Sequence, residues 1–136
     1  MINKKYPALL FFLLLFSACS LAGCKGSTNT IEAYLISPEQ YSDKADLEGA
    51  VPPDQYESGK DIYANIYFIE SPKGMEYTAR WTQNDNELKI ETKKMETDKH
   101  GMMIFTLEAE NVNTGTILFE VLYDEEVLLS KELPVK

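Results

Sequence analysis

The chain has 136 residues, enough for one domain of ordinary size once a targeting segment is set aside. Its 44% hydrophobic and 11% aromatic content excludes a disordered chain and permits a packed core. Net charge is −9, and residues 25–136 carry 11 basic against 22 acidic side chains. That balance repels phosphate backbones and anionic headgroups, so no nucleic-acid partner is expected.

Residues 1–24 begin with the basic "MINKK" and continue through the apolar run "ALLFFLLLFSA" to "LAGC". Eleven helical residues span roughly 16 Å, about half of a hydrocarbon core near 30 Å. The segment therefore reads as an export signal and not as a membrane-spanning anchor. Both cysteines, Cys19 and Cys24, lie in this segment, so no disulfide is available to the region that follows.

Leu21-Ala22-Gly23-Cys24 resembles the lipobox of bacterial lipoproteins. In that family the small residues admit the backbone to the signal peptidase, and leucine fills an apolar pocket. The resemblance implies that the Cys24 thiol receives a diacylglyceryl group and that cleavage makes Cys24 the first residue of the mature chain. Further acylation, by palmitate for example, would complete the anchor. Two acyl chains hold a protein stably where one is marginal. Cys19, in "FSAC", has Phe16 where leucine is preferred and is expected to be inert. Ordinary cleavage after Ala22, giving a secreted soluble protein, is the alternative. The implied division is a signal peptide over 1–23, a polar flexible tether over 24–30 and a folded domain over 31–136 at the extracytoplasmic face of a bacterial membrane.

From residue 30 the dominant pattern has period two, the mark of half-buried antiparallel strands. "TIEAYLIS" sets Ile31, Ala33 and Leu35 against Glu32, Tyr34 and Ile36. The next segment, 38–59, contains no convincing strand. One or two helical turns are expected over 38–48, ended by "GAVPP", in a connection that crosses from one sheet to the other. "KDIYANIYFIE" then places Ile62, Ala64, Ile66 and Phe68 on one side, with Tyr63 and Tyr67 on the other. "MEYTARWT" turns Met75, Tyr77, Ala79 and Trp81 inward, and "ELKIETK" offers Leu88 and Ile90 against Lys89 and Glu91. "GMMIFTLEA" groups Met103, Phe105 and Leu107; "TILFEVLYD" groups Ile117, Phe119, Val121 and Tyr123; "EVLLSKELPV" groups Val127, Leu129 and Leu133. Polar turn stretches separate the runs, as in "SPKG", "QNDN", "TDKHG", "NVNTG" and "DEE". Seven short strands so spaced predict an all-β, two-sheet sandwich.

"GKDIYANIYF", "YTARWTQNDNEL" and the stretch from Met102 to Val135 are similar to the immunoglobulin-like domains of bacterial surface proteins. The resemblance implies Trp81 packed between sheets on the third strand, a strand from Gly115 to Tyr123, and a closing strand from Val127 to Val135. The cysteine pair of antibody domains is missing.

Catalytic chemistry is sparse. His100 in "TDKHGMM" reads as a polar turn residue, because no free cysteine or nucleophile elbow accompanies it. Copper(I) held by His100 with Met102 or Met103 is disfavoured, since adjacent strand residues face opposite sides. "NDNE" at 84–87 lacks the EF-hand pattern for calcium and reads as a hairpin turn. No catalytic residue, cofactor or metal site is expected, and the domain is read as a binding or accessory module. Tyr63 and Tyr67 form the candidate contact patch for an envelope protein or glycan, unless the 38–59 segment covers that face. Alternatives are a small metal-handling envelope protein and an enzyme inhibitor presenting 38–59.

Overall fold

The computed structural model describes residues 30–136. The lipobox Leu21, Ala22, Gly23 and Cys24, and most of the tether, lie outside the described residues. Seven strands form two antiparallel sheets: β1 Ile31–Ser37, β2 Ile62–Ser71, β3 Glu76–Gln83, β4 Asn86–Lys94, β5 Lys99–Leu107, β6 Gly115–Tyr123 and β7 Glu126–Val135. The three-stranded sheet runs β1-β2-β5 and the four-stranded sheet β4-β3-β6-β7. This is the all-β, two-sheet sandwich that the alternation predicts, in the immunoglobulin-like form that the resemblance implies.

The inner faces supply the core. Ile62, Ala64, Ile66 and Phe68 of β2 face Tyr77, Ala79 and Trp81 of β3, all of them almost fully buried. Phe68 stacks on Tyr77 with ring centroids 4.1 Å apart, joining the two sheets, while Trp81 packs on Phe119 of β6 at 4.4 Å. The Tyr77 hydroxyl shares a hydrogen bond of 2.7 Å with Ser71, so its buried oxygen is not orphaned. Asn84 and Asp85 have positive φ between β3 and β4, as do Asp124 and Glu125 between β6 and β7. Those two-residue tips match the hairpin turns whose twist suits paired strands.

Four details differ from simple alternation. A register shift between Ile31 and Ala33 moves the rest of β1 by one residue, so Ile36 joins the core with Ile31 and Leu35 faces the other way, opposite Asn65. On β4, Lys89, Glu91 and Lys93 pair with Trp81, Ala79 and Tyr77 and share their inward face, while Ile90 is 52% exposed. Leu88 still packs against the core from a second irregularity. The reason lies across the gap: β5 is an edge strand, and Lys89 Nζ donates to Thr106 O at 2.7 Å and Lys93 Nζ to Ile104 O at 2.6 Å. Inward lysines on an edge strand satisfy carbonyls that would otherwise invite another chain. A shift between Val121 and Leu122 likewise turns Val127 outward, and it is 46% exposed. Finally, His100 lies within β5 and not in a turn.

The 38–59 segment is ordered by specific contacts. A short helix, α1 Lys44–Gly49, begins six residues after Pro38 because Asp43 caps it, its Oδ1 accepting from Asp46 N at 2.9 Å. Leu47 is buried beneath it, and Ala50 resumes extended backbone before Pro52 and Pro53. The chain then reaches the far sheet, where Tyr56 pairs parallel with Val135 of β7. The connection thus runs from the β1 edge to the β7 edge before entering β2.

Candidate functional site

Two neighbouring surfaces emerge from this arrangement, one on the outer face of the three-stranded sheet and one along its β1 edge. Outward positions on β2 are Tyr63, Asn65 and Tyr67, opposite Thr106, Ile104 and Met102 of β5. Met103 points into the core, so the two methionines diverge. Tyr63 and Tyr67 therefore do share a face, and both are half-buried.

That face is partly roofed. Asn65, fully buried between the tyrosines, donates from Nδ2 to Leu35 O and Glu39 O at 3.1 Å each and accepts from Tyr41 N at 2.8 Å. One amide thus holds residues 39–41 down on the sheet. Lys44 Nζ sits 5.3 Å from the centre of the Tyr67 ring and forms ion pairs with Glu32 at 2.7 Å and Glu48 at 3.7 Å. Hydrogen bonding to Glu32 raises the Lys44 pKa, keeping the ammonium charged. The His100 ring lies 6.2 Å from that of Tyr67, and the Tyr63 hydroxyl donates to Asp61 at 3.1 Å. Both tyrosines are engaged within the domain; Tyr67 offers no open ring face on the Lys44 side.

Beside this face, β1 has no strand partner on its outer edge. There a groove of about 380 Å³ is lined mainly by apolar groups, including Tyr34, Leu35, Ile36, Leu47, Pro52 and Tyr56. Tyr56 belongs to its lining. Its side chain is buried, and its hydroxyl donates to Ile36 O at 2.8 Å. The strap around it is pinned by Tyr56 N to Pro134 O, Lys136 N to Tyr56 O and Ser58 N to Lys136 O, each 2.8 Å. Lys131 of β7 stands at the groove as well.

Burial pushes the Tyr56 pKa from 10.0 up to about 12. The raised value means that the folded state resists ionisation. Stability from this residue is fully present below pH 10 and is lost as pH rises from 10 through 12, where the unfolded chain ionises first. Thermal melts should therefore fall across that window by more in wild type than in Tyr56→Phe, although the variant starts about 1 kcal/mol less stable at neutral pH for want of one hydrogen bond. Equal slopes for the two proteins would contradict the buried position of the hydroxyl.

Among the described residues no three His, Cys, Asp or Glu side chains come together as a metal-holding group. The groove, the Asn65 clamp and the Tyr56 strap are absent from the sequence reading. One signal for the groove was present: the inward row Leu129, Leu133, Val135 of β7 is interrupted by Lys131, a charge where alternation calls for an aliphatic residue.

No protein-family profile matches the chain, and no curated protein sequence does. Among solved structures, the fold is similar to an immunoglobulin-like protein from Pseudomonas aeruginosa, with a TM-score of 0.50 and 8% identity, covering 84% of this chain and 100% of that one. A β-glucosidase from Listeria innocua in complex with glucose is matched at a TM-score of 0.47 and 11% identity, over 61% of this chain. The chain spans about 15% of that enzyme's length. The CARDB domain of a Pyrococcus furiosus protein in complex with di-metal ions is matched at a TM-score of 0.40 and 11% identity, over 81% of this chain and 97% of that one.

Proposed function

We propose that the chain is a bacterial lipoprotein whose immunoglobulin-like domain serves as a non-catalytic binding or accessory module at the extracytoplasmic membrane face. The observation that carries this reading is the spacing between Leu21-Ala22-Gly23-Cys24 and the first strand at Ile31. Seven residues reach at most about 25 Å, so a lipid on Cys24 keeps the sandwich close to the bilayer. The end that carries Ile31 is held toward the membrane, while the opposite end, with the Tyr56 strap, faces away. A strongly acidic surface gives no electrostatic adhesion to anionic lipid, and so attachment rests on the acyl chains.

Growth with a clickable palmitate analogue tests the anchor. Wild type and Cys19→Ala should label and fractionate with membranes; Cys24→Ala should lose both properties. Label on Cys24→Ala, or none on wild type, would refute the proposal.

A second reading, an inhibitor that inserts the 50–53 tip into an enzyme, is favoured by one observation: Val51 is 86% exposed between a capped helix and the pinned Tyr56 strap.

A further inference from the structure

We infer that the groove along the outer edge of β1 binds an anionic amphiphile, a carboxylate bearing a medium-length apolar chain, with the carboxylate at Lys131. This deepens the binding-module reading and does not depend on the lipid anchor.

The volume of about 380 Å³ lies at the lower end of the range for small-molecule sites. Its walls come from three places: Tyr34 and Ile36 of β1, Leu47 under α1, and Ala50, Pro52 and Tyr56 of the connection. Tyr56 lines the groove with its hydroxyl committed to Ile36 O, so its contribution is apolar. Tyr56 pairs level with Val135, and Lys131 lies four residues back along β7, roughly 13 Å away at 3.3 Å per residue. An elongated ligand with one charged end fits that separation.

Charge identifies the headgroup. Lys131 lies opposite Phe119, a fully buried inner-face residue of β6, yet its own side chain is exposed at the flank of the sandwich. Among the described residues no carboxylate lies within ion-pair distance of it, and residues 1–29 contain no Asp or Glu. Two carboxylates also line the groove, Glu32 and Glu48, and both are paired to Lys44, which leaves Lys131 as the unpaired charge of the lining. In a chain of net charge −9, an unpaired cation beside an apolar groove selects an anionic ligand over a cationic one.

An extended peptide adding a strand to β1 is the competing occupant. Strand addition draws its affinity from a run of main-chain hydrogen bonds. Here the Ile36 carbonyl is already taken by Tyr56, and Ala50 and Pro52 occupy the flank of the same edge. Those groups interrupt the ladder that strand addition needs. An apolar chain needs no such bonds.

The test uses the full-length protein in whole-cell lysate, photolabelled with decanoate carrying a diazirine and mapped by peptide mass spectrometry. Adducts should concentrate on residues 33–36 and 47–52. Unlabelled decanoate should compete, and decyltrimethylammonium should not. Lys131→Met, at an exposed position that leaves the fold intact, should lower labelling at subsaturating probe about tenfold, the effect of one charge-assisted hydrogen bond. Ala50→Phe should block the groove and abolish the adducts. Acylation at Cys24 appears on a different peptide in the same spectra, so loss of the anchor and loss of groove binding are separate results. Adducts scattered over the surface, equal competition by the cationic amphiphile, or wild-type labelling of Lys131→Met would overturn the inference. Displacement of the probe by an apolar tetrapeptide at lower concentration than decanoate would assign the groove to peptides instead and would also overturn it.

Discussion

Replacing Trp81 by alanine is expected to destabilise the domain by about 3–5 kcal/mol, the largest effect of any single truncation in the core. Trp81 is fully buried on the inner face of β3 and packs on Phe119 at 4.4 Å. The truncation removes the largest side chain of the core and leaves a void that neighbouring strands, fixed by their hydrogen bonds, fill poorly. Both cysteines precede the described fold, so no disulfide shares the load. Whole domains commonly retain only about 5–15 kcal/mol, and this one change takes a large part of that. Urea denaturation followed by far-ultraviolet circular dichroism measures it, because Trp81 is the one tryptophan and its fluorescence is lost in the variant. Trp81→Phe should fall between wild type and alanine. A loss below about 1 kcal/mol for Trp81→Ala would mean that the sheets are not packed around it.

Asn65→Ala should cost about 2–4 kcal/mol, an unusual sum for a single polar residue. Its amide makes three good hydrogen bonds to backbone groups of β1 and the following loop. Truncation leaves carbonyls and an N–H under the roof without partners, and each orphaned group costs about 1–3 kcal/mol less whatever water recovers. The loss has an address: amide exchange at Tyr41 should accelerate and protease cleavage should rise within 38–49, while β3 and β6 stay protected. Asn65→Asp separates the two halves of the clamp. It keeps the acceptor for Tyr41 N but loses the donors to Leu35 and Glu39, so exchange at Tyr41 should stay slower than in the alanine variant. Uniform acceleration across the domain in Asn65→Ala would place the residue in the global core and remove its role as a clamp.

The strands were legible in the sequence wherever both faces have unlike surroundings. Along β2, β3, β5 and β6 one face meets the opposing sheet, so alternation of Ile62 to Phe68, Tyr77 to Trp81, Met103 to Leu107 and Ile117 to Val121 reports burial directly. It failed where geometry breaks the period. On β4 the inward positions meet the edge of β5 and not a second apolar face, so lysines satisfy carbonyls there and Ile90 turns out to solvent. In β1 and β7 irregular pairing shifts the period by one residue, and neither Leu35 nor Val127 takes the side that counting assigns. The candidate surfaces were less accessible still. Tyr63 and Tyr67 are correctly placed on one face, but their surroundings depend on Asn65 gripping residues 39–41 and Lys44 reaching Tyr67, contacts between residues more than twenty positions apart. The β1 groove depends on β7 and the 38–59 connection meeting across the sandwich, a juxtaposition that local patterns do not encode.

The proposed lipid anchor at Cys24 would set which partners the domain meets, whatever the β1 groove binds. Intact-mass and N-terminal peptide analysis of the protein extracted from membranes tests that anchor most directly. A lipid-anchored chain begins at Cys24 and carries the mass of a diacylglyceryl thioether, with or without a further acyl group on the new amine. A chain that begins at Gly23 or Lys25, or one with an unmodified Cys24 thiol, contradicts it.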